Sequence, residues 1–292
     1  MTIIENAIEK TRNAHRQALL RRSGDSTDKQ TATRTKQALS IDAELRLRPR
    51  AVVVSAEHCR ERRVLLPGAE GKDAGAIAAY RMLRTRLLHR ASTKQWTTIA
   101  ITSAGANDGK TLTAVNLALS LAREKTREIV LLDLDMRNPS VCRTLGIEPT
   151  FELRRYLETG EDLTEMFVSV GSENLMVGGS LTSTEHASEL LSSTRFEDLL
   201  RRVKLGAVEP IILIDLPPVL LTDDALVVAP RVDAVLVVAS EGATSKAGFD
   251  RAMGLLADFP IAGVVLNKVT ETVPYYGYGY DADGQGPDTT AG

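Results

Sequence analysis

TIAITSAGANDGKT, residues 98–111, reads as a buried strand that breaks into a phosphate-binding loop and opens a helix. Thr97–Thr102 alternates apolar and β-branched residues, as a central strand does. Gly105 and Gly109 bracket a turn whose backbone N–H groups can converge on phosphate oxygens, because glycine lets the backbone approach closely. Lys110 follows as a point charge for the β- and γ-phosphates, and Thr111 supplies a hydroxyl for magnesium. The next residues, TLTAVNLALSLARE, set Leu112, Val115, Ala118, Leu119 and Ala122 on one helical face. The phosphates therefore meet a helix N-terminus, where the dipole favours an anion. Gly105, Asn107, Asp108, Gly109, Lys110, Thr111 and Leu112 are the positions expected to line the nucleotide. The spacing departs from G-x-x-x-x-G-K-[ST], which would put the first glycine at Ala104 instead of Gly105.

Two further strands narrow the chemistry. IVLLDLDMR (Ile129–Arg137) is an apolar run ending in Asp133 and Asp135. Two apart on an extended segment, these carboxylates are expected to point the same way at the strand's C-terminal end, where open parallel sheets bind ligands. Pro210–Asp215 is another apolar run ending in a carboxylate, followed by Leu216, Pro217 and Pro218. A lone carboxylate at a strand end caps a loop or pairs with a lysine. Three of them beside a phosphate loop imply an ATP and magnesium site.

Composition places this in an ordinary globular class. The chain has 292 residues, 43% of them hydrophobic, and a formal net charge of −2. No apolar run approaches the ~18 residues of a membrane span, and the N-terminus lacks an apolar signal core, so a cytoplasmic chain is expected. Cys59 and Cys142 fit no metal-ligand spacing and agree with a reducing compartment. Charge is uneven: residues 1–93 carry 19 Lys and Arg against 10 Asp and Glu. A basic first third on an acidic body suits an acidic protein or an anionic membrane face. Nucleic acid is not expected, since no aromatic residues interleave the basic ones.

Along the chain, Thr2–Arg22 fits one charged helix and Ser23–Thr35 a polar linker. Ala51–Val54 and Val64–Leu66 are short apolar runs, read as a docking segment. Ala74–Arg90 is an amphipathic helix with Ile77, Tyr80, Leu83 and Leu87 inward and arginines outward. The pattern then alternates: strand 97–102, helix 111–124, strand 128–134, helices across 151–167, and strand 175–177. It continues with helix 187–203, strand 211–215, helix 223–229, strand 233–239, helix 244–257 and strand 261–266. The fold class is therefore α/β, a doubly wound, mostly parallel sheet with helices on both faces. The expected organisation is a basic N-terminal segment (1–73), a nucleotide-binding domain (74–270) and a flexible tail (271–292).

That tail holds Tyr275, Tyr276, Tyr278 and Tyr280; the chain has only two other tyrosines, Tyr80 and Tyr156. Glycines at 277 and 279 add backbone entropy and no packing surface. Exposed phenols on such a tail suit a phosphoacceptor, each phosphate adding nearly two negative charges.

These residues resemble the bacterial tyrosine kinases of capsule and exopolysaccharide synthesis, P-loop enzymes distinct from the eukaryotic protein-kinase fold. The resemblance runs from about Ala74 to Tyr280. It rests on TSAGANDGKT, on D-x-D-x-R at Asp133, Asp135 and Arg137, and on D-x-P-P at Asp215, Pro217 and Pro218. DDALVVAPRVDAVLVVA, VLNKV and the tyrosine cluster are similar to the family as well. The resemblance implies an ATP-dependent tyrosine autokinase. Lys110 would hold the β/γ-phosphates, Thr111 and Asp215 would position magnesium, and Asp133 would orient and deprotonate the tyrosine with Asp135 supporting the metal shell. Asp133 also counts among the metal-proximal residues, and Asn267 as an adenine contact or a strand cap. The implied partners are neighbouring copies in a homo-oligomer, the cytosolic tail of a membrane chain-length regulator as activator, and a tyrosine phosphatase. The family helix motif E-x-x-R-x-x-R, used for ring assembly, finds Arg81 and Arg84 here but Ala78 in place of the glutamate. The loop also carries Ala106, Asn107 and Asp108 where the family has Pro-Gly-Glu.

The alternative is a positioning ATPase of the partitioning and septum-site type. Those proteins carry an extra lysine early in the loop, and Ser103–Asp108 contains none. A degenerate scaffold is the third reading, set against the full complement of phosphate and metal residues.

Overall fold

The sheet is built around strands that are apolar on both faces, because helices cover each side. In the computed structural model the described residues are 47, 49–66, 73–149, 152–163 and 166–270. The N-terminal helix and linker expected over residues 2–35, and the four tail tyrosines, lie outside them. The elements are β1 (Arg50–Val52), α1 (Ala56–Glu61), α2 (Ala74–Lys94), β2 (Thr98–Ser103), α3 (Lys110–Leu121) and β3 (Ile129–Asp133). There follow α4 (Val141–Leu145), α5 (Leu153–Thr159), β4 (Phe167–Val170), β5 (Leu175–Gly178), α6 (Ala187–Leu191) and α7 (Thr194–Gly206). The last are β6 (Ile211–Asp215), α8 (Asp224–Val228), β7 (Ala234–Ser240), α9 (Lys246–Leu255) and β8 (Ile261–Asn267).

The eight strands lie in the order β1-β4-β5-β3-β6-β2-β7-β8. Every neighbouring pair is parallel except β4–β5. All residues of β2, β3, β6 and β7 are buried, as two-sided coverage demands. One apolar layer joins Val130, Leu132, Ile212, Ile214 and Val235 to Phe196, Leu199 and Val203 of α7. The other joins Ile99, Leu131 and Leu213 to Val115, Ala118 and Leu121 of α3, and to Leu87 and Ala91 of α2. Because β6 lies between β2 and β3, the loops leaving these three strands open onto one crevice, the ligand position of a doubly wound sheet.

Several expectations need correction. Among the described residues of the 151–167 stretch only α5 is α-helical, and β4 begins at Phe167, running to Val170 and pairing antiparallel with β5. The single helix expected over 187–203 is two, broken at Ser192–Ser193, where Ser193 takes extended backbone and starts α7. The apolar runs read as a docking segment belong to the body. Arg50–Val52 pairs with β4 at the sheet edge, and Val64 and Cys59 are buried. The side chain of Asn116 on α3 accepts from Leu65 N at 2.8 Å and donates to the Arg63 carbonyl at 3.1 Å, fastening this segment to the helix behind the phosphate loop. The packed body therefore begins before residue 74.

On α2, Leu87 is buried, and Ile77, Tyr80 and Leu83 are half-buried. Arg81 faces out. Arg84 does not: it donates to the Ser120 carbonyl at 3.1 Å and lies 3.8 Å from Glu124, tying α2 to the end of α3. No helix among the described residues is long and apolar enough to cross a membrane.

Candidate active site

Thr98–Ser103 delivers the chain to the loop, and α3 begins at Lys110 with Gly109 as its N-terminal flanking residue. Two loop residues take left-handed backbone, Asn107 at φ 63° and Gly109 at φ 89°. Gly109 is doubly constrained, because a Cβ there would sit 2.1 Å from Asn267 Nδ2. Gly105 meets neither condition, since a Cβ would find only Asp108 Oδ2 at 3.8 Å. The displaced first glycine thus falls where this loop does not require one.

The loop is held from within and from behind. Asp108, expected to face the nucleotide, is buried. Its Oδ2 accepts from Gly105 N at 3.0 Å and its Oδ1 from the Thr244 hydroxyl at 2.8 Å. Asn267 Nδ2 donates to the Asp108 carbonyl at 3.0 Å, and Lys268 Nζ to the Asn107 carbonyl at 2.6 Å. Asn267 therefore buttresses the loop from the end of β8. Leu112 is half-buried in the first turn of α3, its side chain against the core.

The carboxylates converge on the start of α3. Lys110 Nζ donates to Asp135 Oδ2 at 2.6 Å and lies 3.8 Å from Asp215 Oδ1. Burial works against its charge, but Asp215 and Asp135 outweigh it and hold the ammonium above its ordinary value. The Thr111 hydroxyl donates to Asp215 Oδ2 at 2.6 Å and lies 3.0 Å from the Ser140 hydroxyl. Asp133 Oδ2 accepts from Ser140 N at 2.8 Å and Val141 N at 2.9 Å, the first amides of α4.

Asp133 and Asp135 do not alternate along one strand, because β3 ends at Asp133. Asp135 lies in the following loop, where Asn138 N donates to its Oδ1 at 3.1 Å. Asp135 reaches Lys110 from this loop, whereas Asp133 stays at the strand end and bonds the amides of Ser140 and Val141. Ser140 and Thr244 were not anticipated; a serine immediately before VCRTL was a readable helix-start signal.

Burial, then the Asp215 charge, push the Asp133 carboxyl up to about 8 against its two amide bonds. Burial raises Asp215 to about 6, with Lys110 and Thr111 opposing. Cys142, packed behind the site, is pushed up to about 12 by burial and by Asp133, which leaves its thiol protonated and inert.

Asp133 Oδ1 and Asp215 Oδ1 are buried with no hydrogen-bond partner among the described residues. No group of three His, Cys, Asp or Glu side chains there makes a metal cage. Magnesium does not need one: it binds through one or two carboxylates, with water and phosphate filling the octahedron. Two orphaned carboxylate oxygens beside a threonine hydroxyl and a phosphate loop fit that hard-oxygen chemistry.

The family model described as ParA, NUBPL iron-transfer P-loop NTPase, matches residues 94–281, a fold that implies nucleotide binding. Among curated proteins, the chain is 30% identical over 182 residues to the tyrosine-protein kinase CpsD of Streptococcus agalactiae, covering 61% of this chain and 77% of that one. It is 29% identical over 202 residues to the tyrosine-protein kinase YwqD of Bacillus subtilis, covering 68% and 84%. Among solved structures it is similar to the kinase domain of the Escherichia coli tyrosine kinase ETK, at 26% identity and a TM-score of 0.61 over 80% of this chain and 95% of that one. With the VpsO kinase domain it shares 27% identity and a TM-score of 0.60, over 67% and 96%. The relatives match at the level of fold and of sequence alike, and the chain belongs to the bacterial tyrosine-kinase family of P-loop proteins.

Proposed function

We propose that this chain transfers the γ-phosphoryl group of ATP to tyrosine hydroxyls, with Tyr275, Tyr276, Tyr278 and Tyr280 of a neighbouring copy as acceptors. The observation that carries the reading is the convergence of Asp135 and Asp215 on Lys110 and Thr111, with Asp133 beside Asp215 on the neighbouring strand. Phosphoryl transfer asks a protein for positioning and charge neutralisation, with one carboxylate near the attacking hydroxyl.

In the proposed reaction the phenolic oxygen bonds to the γ-phosphorus as the bond to the β-bridging oxygen breaks, and ADP leaves with that electron pair. The phenolic proton passes to Asp133. Its Oδ1 has no hydrogen-bond partner while Oδ2 is fixed by two amides, which leaves one oxygen to receive the proton. Lys110 and the α3 N-terminus neutralise the phosphates. Thr111, Asp215 and Asp133 would hold magnesium, which when bound supplies charge neutralisation across the β- and γ-phosphates. Arg81 would remain available for contact between copies, whereas Arg84 is engaged within its own chain.

In the same reading the enzyme works in the cytoplasm, brought to the inner membrane face by the cytosolic tail of a polysaccharide chain-length regulator. It tunes exopolysaccharide synthesis and export, and a tyrosine phosphatase reverses the modification. The test is incubation with Mg-ATP and that regulator tail, with phosphotyrosine mapped by mass spectrometry. Tail phosphate that disappears in Lys110→Met supports the kinase. Phosphate placed on the tail of Lys110→Met by an active copy truncated after residue 270 supports transfer between chains. ADP formation with every tail tyrosine unmodified rejects the assignment in favour of a positioning ATPase.

A further inference from the structure

Arg137 closes the D-x-D-x-R stretch, and its guanidinium does not point into the phosphate site. Nε donates to Asp224 Oδ2 at 2.9 Å and Nη2 to Oδ1 at 3.4 Å, a two-pronged pair. Nη1 reaches the Glu185 carbonyl and Nη2 the Ser188 hydroxyl, each at 3.3 Å. That hydroxyl lies 2.6 Å from both Asp223 Oδ1 and Asp224 Oδ1, and its single proton serves one of them at a time. Asp224 is wholly buried at the start of α8. Arg137 thus joins the segment after β3 to those after β5 and β6.

A buried ion pair is weak evidence for stability, because apolar replacements often do as well. Its location is what matters. Residues 134–140 carry Asp135, bonded to Lys110, and end at Ser140, whose amide holds Asp133. Backbone bonds pin this loop from Leu134 N to the Asp215 carbonyl at 2.9 Å and from Thr184 N to the Met136 carbonyl at 2.8 Å. Arg137 adds its charged anchor midway between the two carboxylates and Ser140.

We propose that Arg137 and Asp224 are positioning residues for phosphoryl transfer: their clasp holds the 134–140 loop so that Asp133 and Asp135 stay aligned with Lys110. The proposal rests on the phosphoryl-transfer reading above and assigns the guanidinium no contact with phosphate.

The test compares Arg137→Ala, Arg137→Lys, Asp224→Asn and the Arg137→Ala/Asp224→Asn double variant with the parent protein. ADP formation is followed whatever the acceptor, alongside thermal unfolding. Misplacement of reacting groups by an ångström costs about 100-fold, so kcat falls about 10- to 100-fold in Arg137→Ala and in Asp224→Asn. KM for ATP stays within about 3-fold, and the double variant is no slower than the slower single one, as for two parts of one unit. Arg137→Lys keeps the charge and folding but loses the fork, and its kcat falls about 10-fold. Asp224→Asn at parental kcat beside a crippled Arg137→Ala overturns the proposal, since the guanidinium would then act directly. Arg137→Lys at parental kcat overturns it too. Because ADP rather than phosphotyrosine is the readout, a parent that turns over ATP with unmodified tyrosines refutes the kinase assignment and leaves the clasp comparison valid.

Discussion

Asp133 and Asp215 are direct register partners on β3 and β6, both buried, each with one carboxylate oxygen unbonded. Neighbouring strands lie about 4.8 Å apart, so two like charges share one rung of a low-dielectric sheet. Lys110 offsets part of that repulsion from the side of α3. Burial together with the remainder holds both carboxyls above their ordinary range.

This arrangement makes stability depend on pH in a definite direction. The folded-state pKa of Asp133, about 8, lies above its ordinary 3.8, so the folded protein retains a proton that the unfolded chain gives up. Stability from this group is fully present below about pH 4 and declines as pH rises toward 8. Asp133→Asn should flatten that decline and raise the thermal midpoint of the nucleotide-free protein at pH 8.5 by a few degrees, the scale of roughly 1–2 kcal/mol in a domain this size, while abolishing transfer. Parallel midpoint-versus-pH curves for the two proteins would sink the idea.

Binding of Mg-ADP should release protons near pH 7, because the cation replaces the proton on this carboxylate pair. Calorimetry in two buffers of different ionisation enthalpy reads the proton count directly. Net proton uptake, or none, contradicts the assignment.

Gly109→Ala introduces a Cβ into Asn267 at a left-handed backbone position. Nucleotide affinity should drop by at least about tenfold, with a stability loss of about 1–3 kcal/mol from backbone strain and the clash. Adding Asn267→Ala removes the clash and leaves the φ penalty, so recovery is partial. Full recovery would show that φ at residue 109 is unimportant. Gly105→Ala, with open space and ordinary φ, should change either quantity by less than about 1 kcal/mol.

Asp108→Ala strips an acceptor from Gly105 N and from the Thr244 hydroxyl inside the loop. A buried donor left unpaired costs about 1–3 kcal/mol. KM for ATP should rise several-fold with kcat little changed, since the carboxylate shapes the loop without facing the phosphates. A selective kcat loss in steady-state assays would place Asp108 in the chemistry instead.

Truncation separates the basic N-terminal residues from the sheet. Removing residues 1–66 takes away β1, the segment clamped by Asn116 and two buried apolar cluster members, Cys59 and Val64, and uncovers β4. Its midpoint should lie well below that of a truncation stopping at residue 46. Equal midpoints would show that β1 contributes nothing to the body.

The central strands were legible because two-sided burial writes itself as unbroken apolar runs, as in IVLLD, IILID and AVLVVAS. FVSV of β4 was not, being four residues long and set between polar stretches. RAV of β1 is shorter still and starts with an exposed arginine, so its strand character comes only from pairing with β4. Lys110, Thr111, Asp133 and Asp215 were readable because strand ends fix where such residues lie. The inward turn of Asp108 and the Asn267 contact with the loop were not, since each depends on a partner more than 130 residues away. Asp224 was not legible either, because its partner Arg137 is 87 residues away.

Asn267 and Lys268 grip the carbonyls of Asp108 and Asn107 across separations of 159 and 161 residues. During synthesis the phosphate loop leaves the ribosome long before the strand that braces it. These two bonds therefore cannot form until residues 267 and 268 have been made, and the loop gains its brace only when nearly the whole sheet is complete.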